Sequence, residues 1–206
     1  ALLLNDVRPR LGNLLRVIYF VPVVTDWVAT GLVWQFVFLP FRGVFAGVVV
    51  ALGLPGLSGL RWTSSADLAL VAVAIFAIWK LSGLYVIIFS AGLRGIPTMY
   101  LEAARVDGAH ALQVFRHITL PLLRPITLFV LLISFVTAIG LFEPIYMLTQ
   151  GGPVDATRTL PLLMYENFFS YGRAGYASAM AVVTLLLTLV VALIAAGRLQ
   201  YGFYEE

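Results

Sequence analysis

Side chains that could do chemistry are few in this chain. It contains no cysteine and only two histidines, His110 and His117, whose spacing fits no common zinc-binding pattern. Neither a Ser-His-Asp arrangement nor a GxxxxGK(S/T) phosphate-binding loop can be assembled from it. We therefore expect that the chain is not an enzyme, and that it binds no metal and no cofactor of its own.

Lys80 is the only lysine of the chain, and it lies in the middle of an apolar stretch. A charge at the centre of a bilayer costs about 2.5–3.5 kcal/mol on insertion scales, so it needs a partner in protein or water. Asp26 is the other charge at this depth. One interpretation is an ion pair between two spans. The other is that Lys80 lines a solute pathway, with Asp26 as its resting partner.

A glycine separates two helix-forming stretches in a polar loop. Pro97 suits a helix start, and a run of good helix formers follows it. Gly108 permits a left-handed stop. A second helix is predicted from about His110 to Thr119, with Pro121 ending it. The predicted helix–turn–helix has the shape of a knob that docks into a groove on another protein; the alternative is an amphipathic loop that lies on lipid headgroups.

The composition of the chain indicates whether these residues lie in a soluble protein or in a membrane protein. Of 206 residues, 61% are hydrophobic and 11% are charged, and the mean hydropathy is +0.98. A soluble domain is about 45–50% apolar and about 25% charged, so this composition excludes a water-soluble enzyme and a disordered chain. The net charge of +3 is too small to indicate nucleic acid. The expected surroundings are a lipid bilayer, with no nucleic acid.

Four apolar stretches are long enough to cross a bilayer, which takes about 20 residues. They predict an all-α membrane protein with about four complete transmembrane helices in this chain. Pro22 and Asp26 are expected to kink the first span near its start. The stretch Val44–Leu54 is too short to span, so it is predicted to lie at the interface or to re-enter. The predicted spans are Arg16 to Phe38, Asp67 to Gly92, Leu122 to Phe142 and Ala174 to Gly197.

Arginines are distributed unequally between the two ends of these spans. Eight lie on the side of the 93–121 loop and four on the opposite side. Because positive residues accumulate in cytoplasmic loops, this loop is predicted to be cytoplasmic. The eight are Arg8, Arg10, Arg16, Arg94, Arg105, Arg116, Arg124 and Arg198, and the four are Arg42, Arg61, Arg158 and Arg173.

The same loop carries a resemblance to a known family. It contains the pattern Glu102-Ala103-Ala104, three residues, Gly108, nine residues, and Ile118-x-Leu120-Pro121. This pattern resembles in full the EAA loop of permease subunits in binding-protein-dependent ABC importers. The resemblance implies the type I ABC importer transmembrane fold, with residues 94–121 as the EAA loop in a cytoplasmic coupling helix–turn–helix. It also implies that these residues couple the chain to an ATPase: Glu102, Ala103, Ala104, Asp107, Gly108, Ile118, Leu120 and Pro121.

Other segments resemble the maltose-transporter type of sugar permease. Trp79-Lys80, with Gly83 after it, resembles the helix that leads into the EAA loop. The segment Leu148–Pro153, with Thr157 after it, resembles the family's LT-x-GGP segment. In this branch the span after the loop often carries asparagines near the substrate, whereas Thr137–Leu141 contains none. This difference counts against maltose itself but not against sugars in general. The resemblance covers nearly all of residues 1–206, which we expect to form a single transmembrane domain that lacks one or more spans before residue 1.

The resemblance implies a multi-pass permease of a bacterial or archaeal plasma or inner membrane that serves ATP-driven carbohydrate uptake. The implied partners are a second permease that completes a heterodimer, a cytoplasmic dimer of ATPase subunits that uses ATP and Mg, and an extracytoplasmic substrate-binding protein. The resembled permeases line their substrate chamber with the spans that flank the EAA loop. This implies a substrate pathway at Lys80, Leu84, Ser134 and Thr137.

Alternatives remain at two points. The same machinery could carry glycerol phosphate or another small solute, and a channel or structural membrane protein would need no ATPase partner. On the outer face, Thr149 to Asp155 is predicted to be a loop, because Gly151-Gly152-Pro153 cannot continue a helix. This loop either faces the binding protein, together with the segment Val154–Tyr171, or only connects two helices.

Overall fold

The computed structural model describes the backbone of residues 9–203 and the side chains of residues 17–195 and 197. Over that backbone the chain is helical, and residues 9–203 contain no strand. The all-α class predicted from the sequence is therefore confirmed. The expectation of earlier spans concerns the chain before residue 1, outside the described residues.

The helices are labelled in chain order. They are α1 Pro9–Val24, α2 Trp27–Val37, α3 Val44–Ala51, α4 Ala66–Arg94, α5 Thr98–Val106, α6 Ala111–Val114, α7 Leu120–Leu122, α8 Arg124–Ile139, α9 Glu143–Leu148, α10 Leu160–Tyr165 and α11 Ala174–Phe203. A 3₁₀ turn follows α3, and π-helical turns follow α6 and α10; they cover Pro55–Leu57, Phe115–Thr119 and Glu166–Ser170.

Two of the four predicted spans are continuous helices in the described part of the chain. They are α4 and the Ala174–Ala195 part of α11, and each is long and apolar enough to cross a bilayer. The other two are bent pairs: α1 and α2 meet at 112°, and the segment Ala111–Leu122 meets α8 at 62°. The described residues thus contain two segments that are long and apolar enough to cross a bilayer, or up to four if each bent pair counts as one. Helix α3 is too short to span, as predicted.

The first span breaks between Val24 and Trp27, at Asp26, which is one of the two residues expected to kink it. Pro22 itself lies inside α1. The break has a local cause, because a carboxylate oxygen of Asp26 accepts hydrogen bonds from the amides of Val28 and Ala29 at 2.8 and 2.9 Å. An N-cap of this kind starts a new helix.

The chain folds into two compact units, and each is made of segments that are distant in sequence. The second unit comprises Val24–Leu81 and Ala138–Leu187. Its core joins α2, α4, α9 and α10, and a set of aromatic rings packs around it. The buried core residues are Phe38, Ala72, Val73, Phe76, Ile145, Leu148 and Leu162.

The first unit comprises the chain up to Val23, Ser82–Thr137, and the chain from Thr188 onward. Two glycines of α4 let neighbouring segments approach it closely. A Cβ at Gly83 would clash with the backbone carbonyl of Tyr19, and one at Gly92 would clash with the side chain of Ile126. These contacts set the distance from α4 to α1 and to α8.

Candidate functional site

The first half of the predicted coupling motif lies on α5. The helix begins after Pro97, whose φ of −60° and ψ of 131° are extended. Glu102 and Ala103 are exposed on it, and Ala104 is half-buried. In the described part of the chain, Glu102 makes no ion pair. The motif therefore presents an unpaired carboxylate beside two small side chains.

Gly108 ends α5 in the left-handed conformation that the sequence predicted, with φ of +78°. Its amide donates to the carbonyl of Arg105 at 3.1 Å, and the amide of Ala109 donates to the carbonyl of Ala104 at 2.9 Å. These two bonds form a Schellman motif, which satisfies carbonyls that a helix end leaves unpaired. A Cβ at Gly108 would meet no atom within 4 Å. Glycine is favoured here by conformation and not by space.

A histidine caps the second helix of the loop. The amide of Gln113 donates to Nδ1 of His110 at 3.3 Å, and the amide of His110 donates to the side-chain oxygen of Gln113 at 3.0 Å. This reciprocal capping box starts α6. Further along, Nδ1 of His117 lies 3.0 Å from the carbonyl of Gln113. Both histidines therefore have local structural contacts.

The prediction that Pro121 ends the second helix is wrong. A π-helical turn, Phe115–Thr119, carries the chain into α7, and Pro121 lies inside that helix. The amide of Leu120 bonds to the carbonyl of Phe115, five residues back. Proline has no N–H and its ring clashes with the carbonyl four residues earlier, so the wider turn is a way to accommodate it. The actual break comes at Leu123, before α8.

Both halves of the motif meet around one groove of about 620 Å³ in the first unit. Five of the eight predicted coupling residues line it. Glu102, Gly108 and Leu120 are not among its lining residues and are exposed. The lining residues are Tyr100, Ala103, Ala104, Asp107, His117, Ile118, Pro121 and Leu122. The sequence motif is thus a single surface feature, with Glu102 beside a groove.

The four predicted pathway residues have different surroundings. Lys80 is buried in the second unit, and its ammonium donates to Thr25. Leu84, one turn further along α4, is half-buried, as is Thr137 on α8. The hydroxyl of Ser134 donates to a carbonyl of its own helix, that of Val130, at 2.7 Å. Their role in a pathway stays a prediction.

The ion pair between Lys80 and Asp26, one of the two interpretations of these charges, is not formed among the described side chains. The carboxylate of Asp26 is engaged in capping α2, and the ammonium contacts the hydroxyl and carbonyl of Thr25 instead. Sequence reasoning missed Thr25, because only the helix break, seen in three dimensions, exposes its carbonyl to Lys80.

In the second unit, a loop connects α9 to α10. Its centre is Thr157, which is 2% exposed. The Oγ1 of Thr157 lies 2.7 Å from that of Thr149 and donates to the carbonyl of Gly152 at 3.0 Å. The predicted loop is confirmed, although α10 occupies part of the segment Val154–Tyr171. We call residues 149–159 the outer loop.

The outer loop has an unusual backbone. Three residues other than glycine adopt positive φ, among them the β-branched Val154, which is 94% exposed. Such conformations cost about 1–3 kcal/mol each and persist only where the surroundings enforce them. The residues of the loop with positive φ are Gln150 at 51°, Gly151 at 84°, Val154 at 51° and Asp155 at 60°.

An arginine connects this loop to the segment after α10. The guanidinium of Arg158 donates to Asp155 at 2.8 Å and also to Glu166. The hydrogen bond to Glu166 raises the pKa of the Arg158 guanidinium above its ordinary value. No spacing in the sequence would have indicated this triad.

The family model described as "Binding-protein-dependent transport system inner membrane component" matches residues 1–197. A probable ABC transporter permease protein of Pyrococcus horikoshii is 34% identical over 193 residues, which cover 94% of this chain and 66% of that protein. The arabinooligosaccharides transport system permease protein AraP of Bacillus subtilis is 32% identical over 195 residues, covering 94% and 62%.

The fold also matches a solved structure. A bacterial alginate ABC transporter, in complex with an alginate pentasaccharide-bound periplasmic protein, superimposes with a TM-score of 0.82 at 23% identity, over 94% of this chain and 67% of that one. At that identity the match shows the fold. The chain spans just under two thirds of the length of the two relatives.

Proposed function

Because the chain belongs to the family of inner membrane components of binding-protein-dependent transport systems, we propose that it is a permease subunit of an ATP-driven ABC importer. It forms a solute pathway with a second permease, as a heterodimer, in a bacterial or archaeal plasma or inner membrane. The observation that carries the proposal is the coupling motif, five of whose eight residues line one open groove.

The exposed surface of the coupling loop favours a protein partner. Val106, at the end of α5, is 88% exposed, and Leu112 of α6 is 68% exposed. Apolar side chains of this size, beside a groove and an unpaired carboxylate at Glu102, suit a docking surface better than a free loop. We assign the partner as the ATPase dimer, which supplies the hydrolysis of ATP with Mg; this chain contributes shape and charge.

The proposed cargo is carbohydrate. AraP is named for arabinooligosaccharides, and the solved importer carries the acidic polysaccharide alginate. In the proposed pathway, Ser134, Thr137 and Leu84 would supply small polar and apolar surface from α8 and α4. Glycerol phosphate is the second candidate, since the same machinery would serve it.

The outer loop is the proposed contact for an extracytoplasmic binding protein. Hydrogen bonds of Thr157 and the ion pairs of Arg158 hold its backbone, and Val154 protrudes from it. A preformed loop loses little conformational entropy on binding. In the alginate transporter, a periplasmic protein is part of the solved complex.

The test is the substitution Glu102→Ala in the permease, co-expressed with its ATPase subunit. Truncating one partner of an interfacial charge pair costs about 2–5 kcal/mol, so we expect at least a tenfold loss of co-purified ATPase. Glu102→Gln separates charge from side-chain size, and Asp67→Ala, an exposed carboxylate in the first turn of α4, is the matched control. Unchanged ATPase recovery and unchanged ATP-dependent uptake in Glu102→Ala would refute the coupling role. Solute flux through the unmodified protein without any ATPase would favour a channel.

A further inference from the structure

The ammonium of Lys80 is held by one residue of the break in the first span. Lys80 is 2% exposed. It donates to the backbone carbonyl of Thr25 and to its Oγ1, the latter at 2.9 Å, and lies 5.2 Å from the centre of the Trp27 ring. Burying an ammonium is costly unless it is paired. The Lys80 ammonium is therefore held at the break between α1 and α2 in this conformation.

The break needs both signs of charge. A helix end leaves backbone carbonyls without partners, and a helix start leaves amides without partners. Lys80 donates to the carbonyl of Thr25, just after α1, while Asp26 accepts from the first amides of α2. Each charge also has the sign that the dipole of its helix end favours. The two mid-span charges thus stabilise one bend without pairing with each other.

Helix α2, which starts at this bend, is fastened to the helix that precedes the outer loop. Gly31 lies so close to Met147 that a Cβ there would come within 2.8 Å of the Met147 Cβ. The side-chain amide of Gln35 donates to the carbonyl of Met147. Met147 belongs to α9, and the outer loop begins two residues later at Thr149. The orientation of α2 is therefore linked by direct contacts to the base of the outer loop.

Helix α4, which carries Lys80, leads without interruption to the coupling loop. It is a single helix to Arg94, and the coupling helix α5 starts at Thr98. The Lys80–Thr25 contact therefore joins the elements that support the outer loop to the helix that ends beside the coupling motif.

We propose that Lys80 is a positioning residue for coupling. When the solute-loaded binding protein binds the outer loop, the contact of Lys80 with Thr25 transmits the resulting movement to α4 and so to the ATPase. The role rests on the proposed function. It assigns to Lys80 a mechanical contact with its own chain, where the sequence suggested a contact with solute or with Asp26.

The functional test uses the complete transporter in proteoliposomes, with ATP hydrolysis measured with and without the solute-loaded binding protein. Lys80→Met should lower the stimulation by at least fivefold while the basal rate and the half-saturating solute concentration stay within twofold. Thr25→Val, which removes only the hydroxyl acceptor, should lower the stimulation less, and should add nothing in the Lys80→Met background. Thr25→Ser is the matched control and should behave as the unmodified protein.

Three results would overturn the proposal. One is unchanged stimulation in Lys80→Met. Another is a changed solute preference with stimulation retained, which would place Lys80 in the pathway. The third is recovery of Lys80→Met by Asp26→Asn, which would indicate an ion pair. If Lys80→Met does not assemble, the comparison of Thr25→Val with Thr25→Ser decides: equal stimulation in the two refutes the role. Absence of stimulation in the unmodified transporter would instead refute the proposed function.

A structural readout tests the contact independently of transport. The chain has no cysteine, so spin labels can be placed at exposed positions on either side of the break with Val17→Cys and Phe36→Cys. A straight helix would separate these two positions by about 28 Å at about 1.5 Å per residue. Adding Lys80→Met should shift the distance distribution toward that value. An identical distribution would show that Lys80 does not hold the bend.

Discussion

The coupling loop and the outer loop both turn the chain sharply between helices, yet they do so by different means. The coupling loop uses a glycine at its left-handed position, Gly108, with open space around it. The outer loop places Gln150, Val154 and Asp155 in that region, and needs buried hydrogen bonds and ion pairs to keep them there. The first shape is set by local sequence, whereas the second is set by contacts that the rest of the unit supplies.

This difference matches what each loop is proposed to do. A loop whose shape is set by helix caps needs few contacts with the rest of the unit. Its exposed residues can therefore bind a partner. A loop with several strained residues keeps one conformation only while its supporting contacts persist. We therefore expect the outer loop to be sensitive to buried substitutions and the coupling loop to be sensitive to backbone substitutions.

The largest expected contrast between the loops concerns the side of the membrane on which each lies. In the cysteine-free chain, Asp155→Cys should react with an impermeant thiol reagent added to intact cells, and Leu112→Cys should react only after the cytoplasmic side is opened. Both side chains are exposed, so access alone would decide the labelling. The reverse pattern would invert the orientation derived from the arginines.

Removal of the central hydroxyl of the outer loop should have the next largest effect. Thr157→Val keeps the side-chain shape but leaves Thr149 and the carbonyl of Gly152 without this partner, at a cost of about 1–3 kcal/mol. The affinity of the solute-loaded binding protein should fall by roughly ten- to a hundredfold, measured on the transporter in nanodiscs. Thr157→Ser retains the hydroxyl and should bind normally. Equal affinities for the two variants would show that the loop is not held by Thr157.

The smallest expected effect is at the turn of the coupling loop. Gly108→Ala adds a Cβ that meets no atom, so its cost is that of the left-handed conformation, about 1–2 kcal/mol. ATP-dependent uptake should fall by at most about tenfold, and Gly108→Asn should fall less, because asparagine tolerates this conformation. Equal loss in both variants would mean that size, and not φ, limits position 108.

The sequence predicted those features whose causes are local. The apolar spans, the helix start after Pro97 and the left-handed stop at Gly108 follow from residue type and spacing, and the structure contains them. The order Gly151-Gly152-Pro153 likewise predicted the outer loop. In each case the type and spacing of residues that are close in sequence decide the outcome.

The features that the sequence did not predict have two kinds of cause. Some depend on contacts between residues distant in sequence, and others depend on which of two competing local effects prevails. Pro121 was expected to end a helix, but a π-helical turn accommodates it. An ion pair of Asp26 with Lys80 was one of two interpretations, but the carboxylate of Asp26 instead accepts hydrogen bonds from the nearby amides of Val28 and Ala29. The role of Thr25, and the bonds from Arg158 to Glu166, require the fold itself. The coupling residues were identified by resemblance, while their arrangement around a groove appeared only in three dimensions.

The burial of the only lysine has a practical consequence for observing this protein at work. Residues 1–206 contain a single side-chain amine, that of Lys80, and it donates to Thr25. An amine-selective reagent, such as isotopically labelled formaldehyde in reductive methylation, would therefore modify one side chain of residues 1–206, which mass spectrometry of proteolytic fragments separates from α-amino groups. The rate at which Lys80 becomes modified would then measure how often it leaves Thr25, and comparing that rate with and without ATP would follow the bend in the unaltered molecule.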